Sequence, residues 1–204
     1  MSAQNLLSLY ESADRDVRRR GRRWYPTARR RLRALAQEHE RPFSQVAAVF
    51  SILSPAAQLG TCLAWTEQVL KGERAGGRYP NMQGPKVERA LATRYPVRAV
   101  SGPKVSAFYR ALMGDTEAVV IDRWAARAAG WDESKNAIPR QVQRELEASY
   151  REAAEEVGER VREFQAIVWI ALRESLVRSD GRQIRLRDIH DAYQKPDRRK
   201  EGGQ

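Results

Sequence analysis

The sequence predicts an all-α protein, and three observations carry that reading. Apolar residues recur three and four positions apart, as in Val142, Leu146, Tyr150, Ala153, Ala154 and Val157, the period of a helix with one buried face. No stretch alternates apolar and polar residues convincingly, as a half-buried strand would. Prolines and glycines fall between the periodic segments, where they start and stop helices.

Taken in order, residues 2–10 form a short helix through Leu6, Leu7 and Tyr10. Residues 15–23 hold six arginines, followed by Trp24 and Tyr25, and a helix is expected over 27–38 with Ala28, Leu32, Leu35 and Ala36 on its apolar side. Arg19, Arg20, Arg22 and Arg23 are suited to clamping phosphates, with Trp24 or Tyr25 stacking on a base. The alternative is a solvated cationic helix whose aromatics anchor it to the core. Pro42 opens the next helix, with Phe43, Val46, Ala47, Phe50 and Leu53 on its apolar face, and Ser54-Pro55 ends it. Residues 59–71 resume as a helix that holds Cys62 inside, and the Gly- and Pro-rich stretch 72–85 reads as a connector or a substrate-facing loop.

A short helix over 86–93 ends at Tyr95-Pro96. Downstream of residue 130, a polar irregular stretch leads to Pro139, which opens the amphipathic helix that Gly158 stops. Residues 161–178 are apolar beyond one stripe and form a central helix. Ser179-Asp180-Gly181 is a turn, 186–193 a last short helix, and 195–204 a charged mobile tail.

The composition bounds the function. The chain has 204 residues, which suits one domain or two small packed ones. Hydrophobic residues at 42% support a core, while 31% charged residues and a mean hydropathy of −0.68 describe a soluble surface. No run is long enough to span a bilayer and no signal-peptide pattern opens the chain, so a cytoplasmic location is expected. The single cysteine, Cys62, excludes an internal disulfide and a four-cysteine cluster, and His39 and His190 give no metal-ligand spacing. No metal or cofactor is expected. A net charge of +11 and a pI of about 10.3 favour nucleic acid or another anionic surface, or mark a basic protein with no polyanion partner.

The chain is organised around residues 100–130. Ser101-Gly102-Pro103 is a tight turn, Lys104 follows it, and Val105, Phe108, Tyr109 and Leu112 keep helical rhythm. Gly114 and Asp115 end that helix. Val119, Val120 and Ile121 return the chain to the interior, and Asp122 opens an alanine-rich helix. A lysine thus starts one helix and a carboxylate the next, eighteen positions on, beside a turn able to offer main-chain N–H groups to phosphate. On its own, Asp122 is also an ordinary N-cap residue, and Lys104 an ordinary surface or phosphate-binding lysine.

This stretch resembles the helix-hairpin-helix DNA glycosylases, the superfamily of endonuclease III and MutY. The matching residues are the hairpin Ser101-Gly102-Pro103-Lys104 and the run Val120-Ile121-Asp122-Arg123-Trp124, with the lysine–aspartate separation of the lyase-competent members. Upstream, the helix from Pro42 running into Leu53-Ser54-Pro55-Ala56-Ala57-Gln58 is similar to the family's apolar helix and DNA-facing loop, so the likeness covers residues 42–130. The chain departs from the pattern in having Trp124 where a histidine is frequent, Val-Ser-Gly-Pro-Lys in place of Gly-Val-Gly-x-Lys, and no cysteines for the iron–sulfur cluster many relatives carry. Gln165-Ala-Ile-Val-Trp169 is similar to phage-encoded proteins of this fold.

The resemblance implies two helical subdomains with a cleft between them, residues 1–41 with 131–195 and residues 42–130. It also implies a monomer acting on double-stranded DNA in a bacterial or phage-infected cell. A target base leaves the stack to be reacted on; Asp122 stabilises the cationic sugar, and Lys104 attacks C1′ to form a Schiff base that permits strand cleavage. Ser101, Gly102, Pro103 and Gln58 contact DNA; Trp124, Gln165 and Trp169 are candidates for the base pocket, Gln165 alternatively satisfying a buried backbone group. Two other outcomes stay open: replacement of a group on a modified base without its release, and a catalytically silent DNA-binding protein.

Overall fold

A computed structural model describes residues 3–55, 57, 59–131 and 138–176. Among the described residues, every regular element is helical: α1 (Ala3–Ser12), α2 (Arg15–Glu38), α3 (Phe43–Leu53), α4 (Leu59–Leu70), α5 (Arg78–Met82), α6 (Gly84–Ala92), a 3-10 turn (Pro96–Ala99), α7 (Pro103–Met113), α8 (Arg123–Ala128), α9 (Arg140–Glu156) and α10 (Val161–Ser175). The expected turn at 179–181, the helix over 186–193 and the tail lie outside the described residues, as do Ala56 and Gln58.

The arginine-rich segment and the helix expected after it are one element. The Asp14 carboxylate caps α2 by accepting from the Val17 N–H at 2.8 Å. Val17, Gly21, Tyr25, Ala28, Leu32 and Ala36 then form a continuous buried stripe. Pro26 lies inside this helix but on its exposed side, so its missing N–H removes one rung without disturbing the packed face. Residues 72–85, read as a loop, contain α5 and the start of α6. Helix α3 is buried from Gln45 through Leu53 and not on one face only.

Buried side chains form two clusters. One joins Leu6, Leu7 and Tyr10 of α1 and Val17 of α2 to α8, α9 and most of α10. The other joins the second half of α2, from Tyr25 to Ala36, to α3, α6, α7 and Cys62. Helices α2 and α10 run through both, since Ala166 of α10 belongs to the second cluster. As its composition requires, α10 is buried at every position from Val161 to Leu172 except Trp169. No helix among the described residues is long and apolar enough to cross a membrane.

Candidate active site

The site grows from the termini of α7 and α8. Gly102 precedes α7 with φ 88°, a left-handed geometry that favours glycine. Pro103 then occupies the first helical position, where a missing N–H costs nothing, and the turn puts Lys104 in the first turn of α7. At the other end Gly114, with φ 119°, stops the helix. Residues 118–121 follow without helical structure, with Ala118, Val119 and Ile121 buried. That apolar anchor places Asp122 at the N-cap of α8.

Asp122 divides its carboxylate between two tasks. Oδ1 accepts from the Ala125 N–H at 2.9 Å, the cap of α8. Oδ2 faces the Lys104 ammonium, Nζ to Oδ2 3.9 Å. That separation lies beyond hydrogen-bond reach, so the pair attract without being locked together. Their side chains are 33% and 24% exposed, so both reach solvent. The N-cap reading and the site reading of Asp122 are therefore compatible, one on each oxygen.

Helix α10 flanks this pair with one stripe of side chains, Arg162, Gln165, Trp169 and Arg173, spaced three and four apart. Arg162 donates to the Ala111 carbonyl at 3.2 Å, near the end of α7, and pairs with Glu163. The Gln165 carboxamide makes two 2.8 Å hydrogen bonds to Val120, accepting from its N–H and donating to its carbonyl. Of the two roles open to Gln165, the geometry is that of the backbone partner. Arg173 lies over Trp169 at 4.7 Å and over Trp124 at 5.9 Å. Burial pulls the Arg173 guanidinium below its ordinary range and the Asp122 charge opposes that shift.

Between α2 and α10 is an open depression of about 290 Å³ lined by Arg20, Trp24, Trp169, Ile170, Arg173 and Glu174. Trp24 and Trp169 meet edge to face at 6.2 Å, and Trp24 continues to Phe108 of α7 at 6.0 Å. Phe108, itself buried, is one helical turn from Lys104, while neither Lys104 nor Asp122 lines this depression. From sequence, Trp24 is expected to stack on a base beside the arginines, not to meet Trp169; Arg173 is not singled out at all. Extending the Gln165–Trp169 spacing by one more turn finds Arg173; Trp24 joins only when α2 packs on α10.

A family model described as a family of unknown function, DUF7178, matches residues 1–176. The chain belongs to this family. The matched segment contains every helix from α1 to α10 and all the site residues named above. No curated protein and no solved structure matches the chain.

In this DUF7178 chain the arginine-rich face of α2 is divided in its commitments. Arg19 and Arg20 pair with Asp16, Arg20 also holds Glu174 through contacts of 2.6 and 3.0 Å, and Arg22 pairs with Glu159. Arg15 and Arg23 are exposed and line an open depression with Asp16, Arg19 and Arg22. Tyr25 is unavailable for base stacking: it is 5% exposed, packed edge-on to Phe108 and covered by the Arg162 guanidinium. Burial drives its phenol far above the usual range. Gln58, expected at the DNA, lies outside the described residues.

Proposed function

We propose that the chain is a DNA glycosylase-like enzyme of the helix-hairpin-helix type, with a cleft between two helical subdomains. It binds duplex DNA, admits an extruded base and cleaves its N-glycosidic bond. The observation that carries this reading is the opposed pair Lys104 Nζ and Asp122 Oδ2, 3.9 Å apart at the starts of α7 and α8. A lone lysine or a lone cap would not support it; an amine and a carboxylate converging on one open point from two helix termini do.

In this mechanism the amino end of α7 offers the Lys104 and Val105 N–H groups, which have no partner inside the helix, to a phosphate. Asp122 Oδ2 stabilises positive charge on the sugar as the bond to the base breaks, and the base leaves with the electron pair. The Lys104 ammonium first gives a proton to solvent; the freed lone pair then forms a bond to C1′, and the resulting cationic nitrogen passes a second proton toward Asp122. Ring opening then gives the Schiff base, from which β-elimination cuts the strand. Trp24, Trp169 and Trp124 supply flat apolar surface for the extruded base.

The deciding experiment incubates the protein with duplex DNA carrying modified pyrimidines and purines, followed by nucleoside mass spectrometry and borohydride trapping. Free base together with an adduct lost in Lys104→Gln is the expected result. Base release without an adduct assigns the attack to water. A changed nucleoside mass with no base release assigns group replacement on the base. Unchanged DNA throughout reduces the protein to a DNA-binding module.

A further inference from the structure

Residues 118–121 present an unusual backbone problem. They belong to no helix and are largely buried, yet no strand lies beside them among the described residues. Buried peptide groups need partners, and in an all-helical protein these cannot come from a sheet. At Val120 the partner is one side chain. Gln165, 6% exposed, accepts from the Val120 N–H and donates to the Val120 carbonyl, both at 2.8 Å. Its carboxamide thus acts as a strand one residue long.

We propose that Gln165 is a positioning residue for Asp122, resting on the reading of Asp122 as the reacting carboxylate. Val120 is two residues ahead of Asp122. On the far side the carboxylate is tethered through Oδ1 to the Ala125 N–H. With the backbone held before the aspartate and one oxygen held after it, only Oδ2 is left to face Lys104. Gln165 therefore sets the height and rotation of the segment that fixes the Oδ2 to Nζ separation. A primary carboxamide is suited to this because it carries a donor and an acceptor side by side. A methionine of similar length carries no donor. An ionised glutamate accepts from the N–H but turns a second oxygen toward the Val120 carbonyl, whereas a protonated one restores both bonds.

The test compares Gln165→Met and Gln165→Glu with the wild type, each with and without Lys104→Gln, by carbon NMR of the Asp122 carboxyl group. In the wild type, Lys104→Gln is expected to move the Asp122 resonance. In Gln165→Met at least half of that response is lost. In Gln165→Glu the response is lost at high pH, where the buried glutamate ionises, and recovers as lower pH protonates it, with the wild type at each pH as reference. Full retention of the response in both variants overturns the proposal and leaves Gln165 a packing residue. Should Gln165→Met fail to fold, Gln165→Glu at two pH values still decides, because it contrasts two states of one protein.

Single-turnover base release supplies the second readout. Gln165→Met is expected to slow it by about 100-fold, the cost of an ångström of misplacement, with DNA affinity within about twofold. If the carboxyl response is lost but wild-type protein releases no base, positioning stands and the glycosylase reading falls. If base is released at equal rates by the wild type and both variants, the reading stands and the positioning role falls.

Discussion

Gly21 of α2 stands against Ile167 of α10 so closely that a Cβ placed on it would lie 2.7 Å from both the Ile167 Cα and its backbone nitrogen. These are main-chain atoms, which cannot turn aside as a flexible side chain would. The glycine lets the two helices that run through both core clusters approach at backbone distance. It also lets Trp24, one turn along α2, meet Trp169 of α10.

Gly21→Ala is therefore expected to destabilise. Alanine gains about 1 kcal/mol in helix propensity, but forcing the helices apart costs about 1–3 kcal/mol in strained packing, and separation also opens the Trp24–Trp169 contact. Chemical denaturation with tryptophan fluorescence measures both effects. A variant as stable as the wild type, or more stable, would refute the close approach.

Cys62 is predicted to be chemically silent in the folded protein. It is 1% exposed, its thiol donates to the Phe50 carbonyl at 3.2 Å, and burial drives it well above the ordinary thiol range. The native protein should resist a thiol reagent at pH 8 that labels the denatured chain within minutes. The sign of the linkage also follows. A raised folded value means stability is fully present below the unfolded thiol's value and is lost as pH rises beyond it, because the unfolded state releases the proton first. Rapid labelling without unfolding would contradict this.

The parts of the fold legible in the sequence were those set by neighbours along the chain. Gly102, Pro103, Gly114 and Asp122 punctuate α7 and α8 through local backbone chemistry, and the structure places those helix ends where the punctuation falls. The continuity of α2 was hidden because Pro26 is a local stop signal. What overrides it is a buried stripe on both sides, with the proline ring left in solvent. The commitments of the arginines were hidden for another reason: Glu159 and Glu174 are more than 130 positions from Arg22 and Arg20. The same holds for Gln165, whose spacing with Trp169 was visible but whose partner, Val120, is 45 positions away.

Asp122→Asn separates the two oxygens of the site. Asparagine caps a helix about as well as aspartate, so stability should change by less than about 0.5 kcal/mol. The negative charge facing Lys104 is lost, however, and under the proposed mechanism the rate of base release should fall by about 100-fold or more. Asp122→Ala removes the cap as well, at a further cost of about 1 kcal/mol. Thermal denaturation beside single-turnover kinetics checks both. An asparagine variant that turns over normally would leave Asp122 as a cap alone.

If the chain binds duplex DNA as proposed, the arginines of α2 should differ in what their loss does to that binding. Arg20 and Arg22 already hold Glu174 and Glu159 across helices, so a phosphate must compete with a carboxylate for each. Hydrogen bonding to those carboxylates raises both guanidinium groups above their ordinary range. Arg15 and Arg23 are exposed and carry charge into the same depression. Each phosphate contact contributes about 0.9 to the slope of log affinity against log salt. The Arg15→Gln, Arg23→Gln double variant should therefore flatten that slope by as much as about 1.8. Replacing Arg20 and Arg22 should leave it nearly unchanged and lower stability by up to about 1 kcal/mol for the exposed Arg20–Glu174 pair, and by more for Arg22, whose partner Glu159 is only 12% exposed. Titrations from low to moderate salt on one duplex distinguish the two pairs. If the slope falls equally for both, the carboxylates give way to DNA. If it falls for neither, this face of α2 does not meet the phosphates of that duplex.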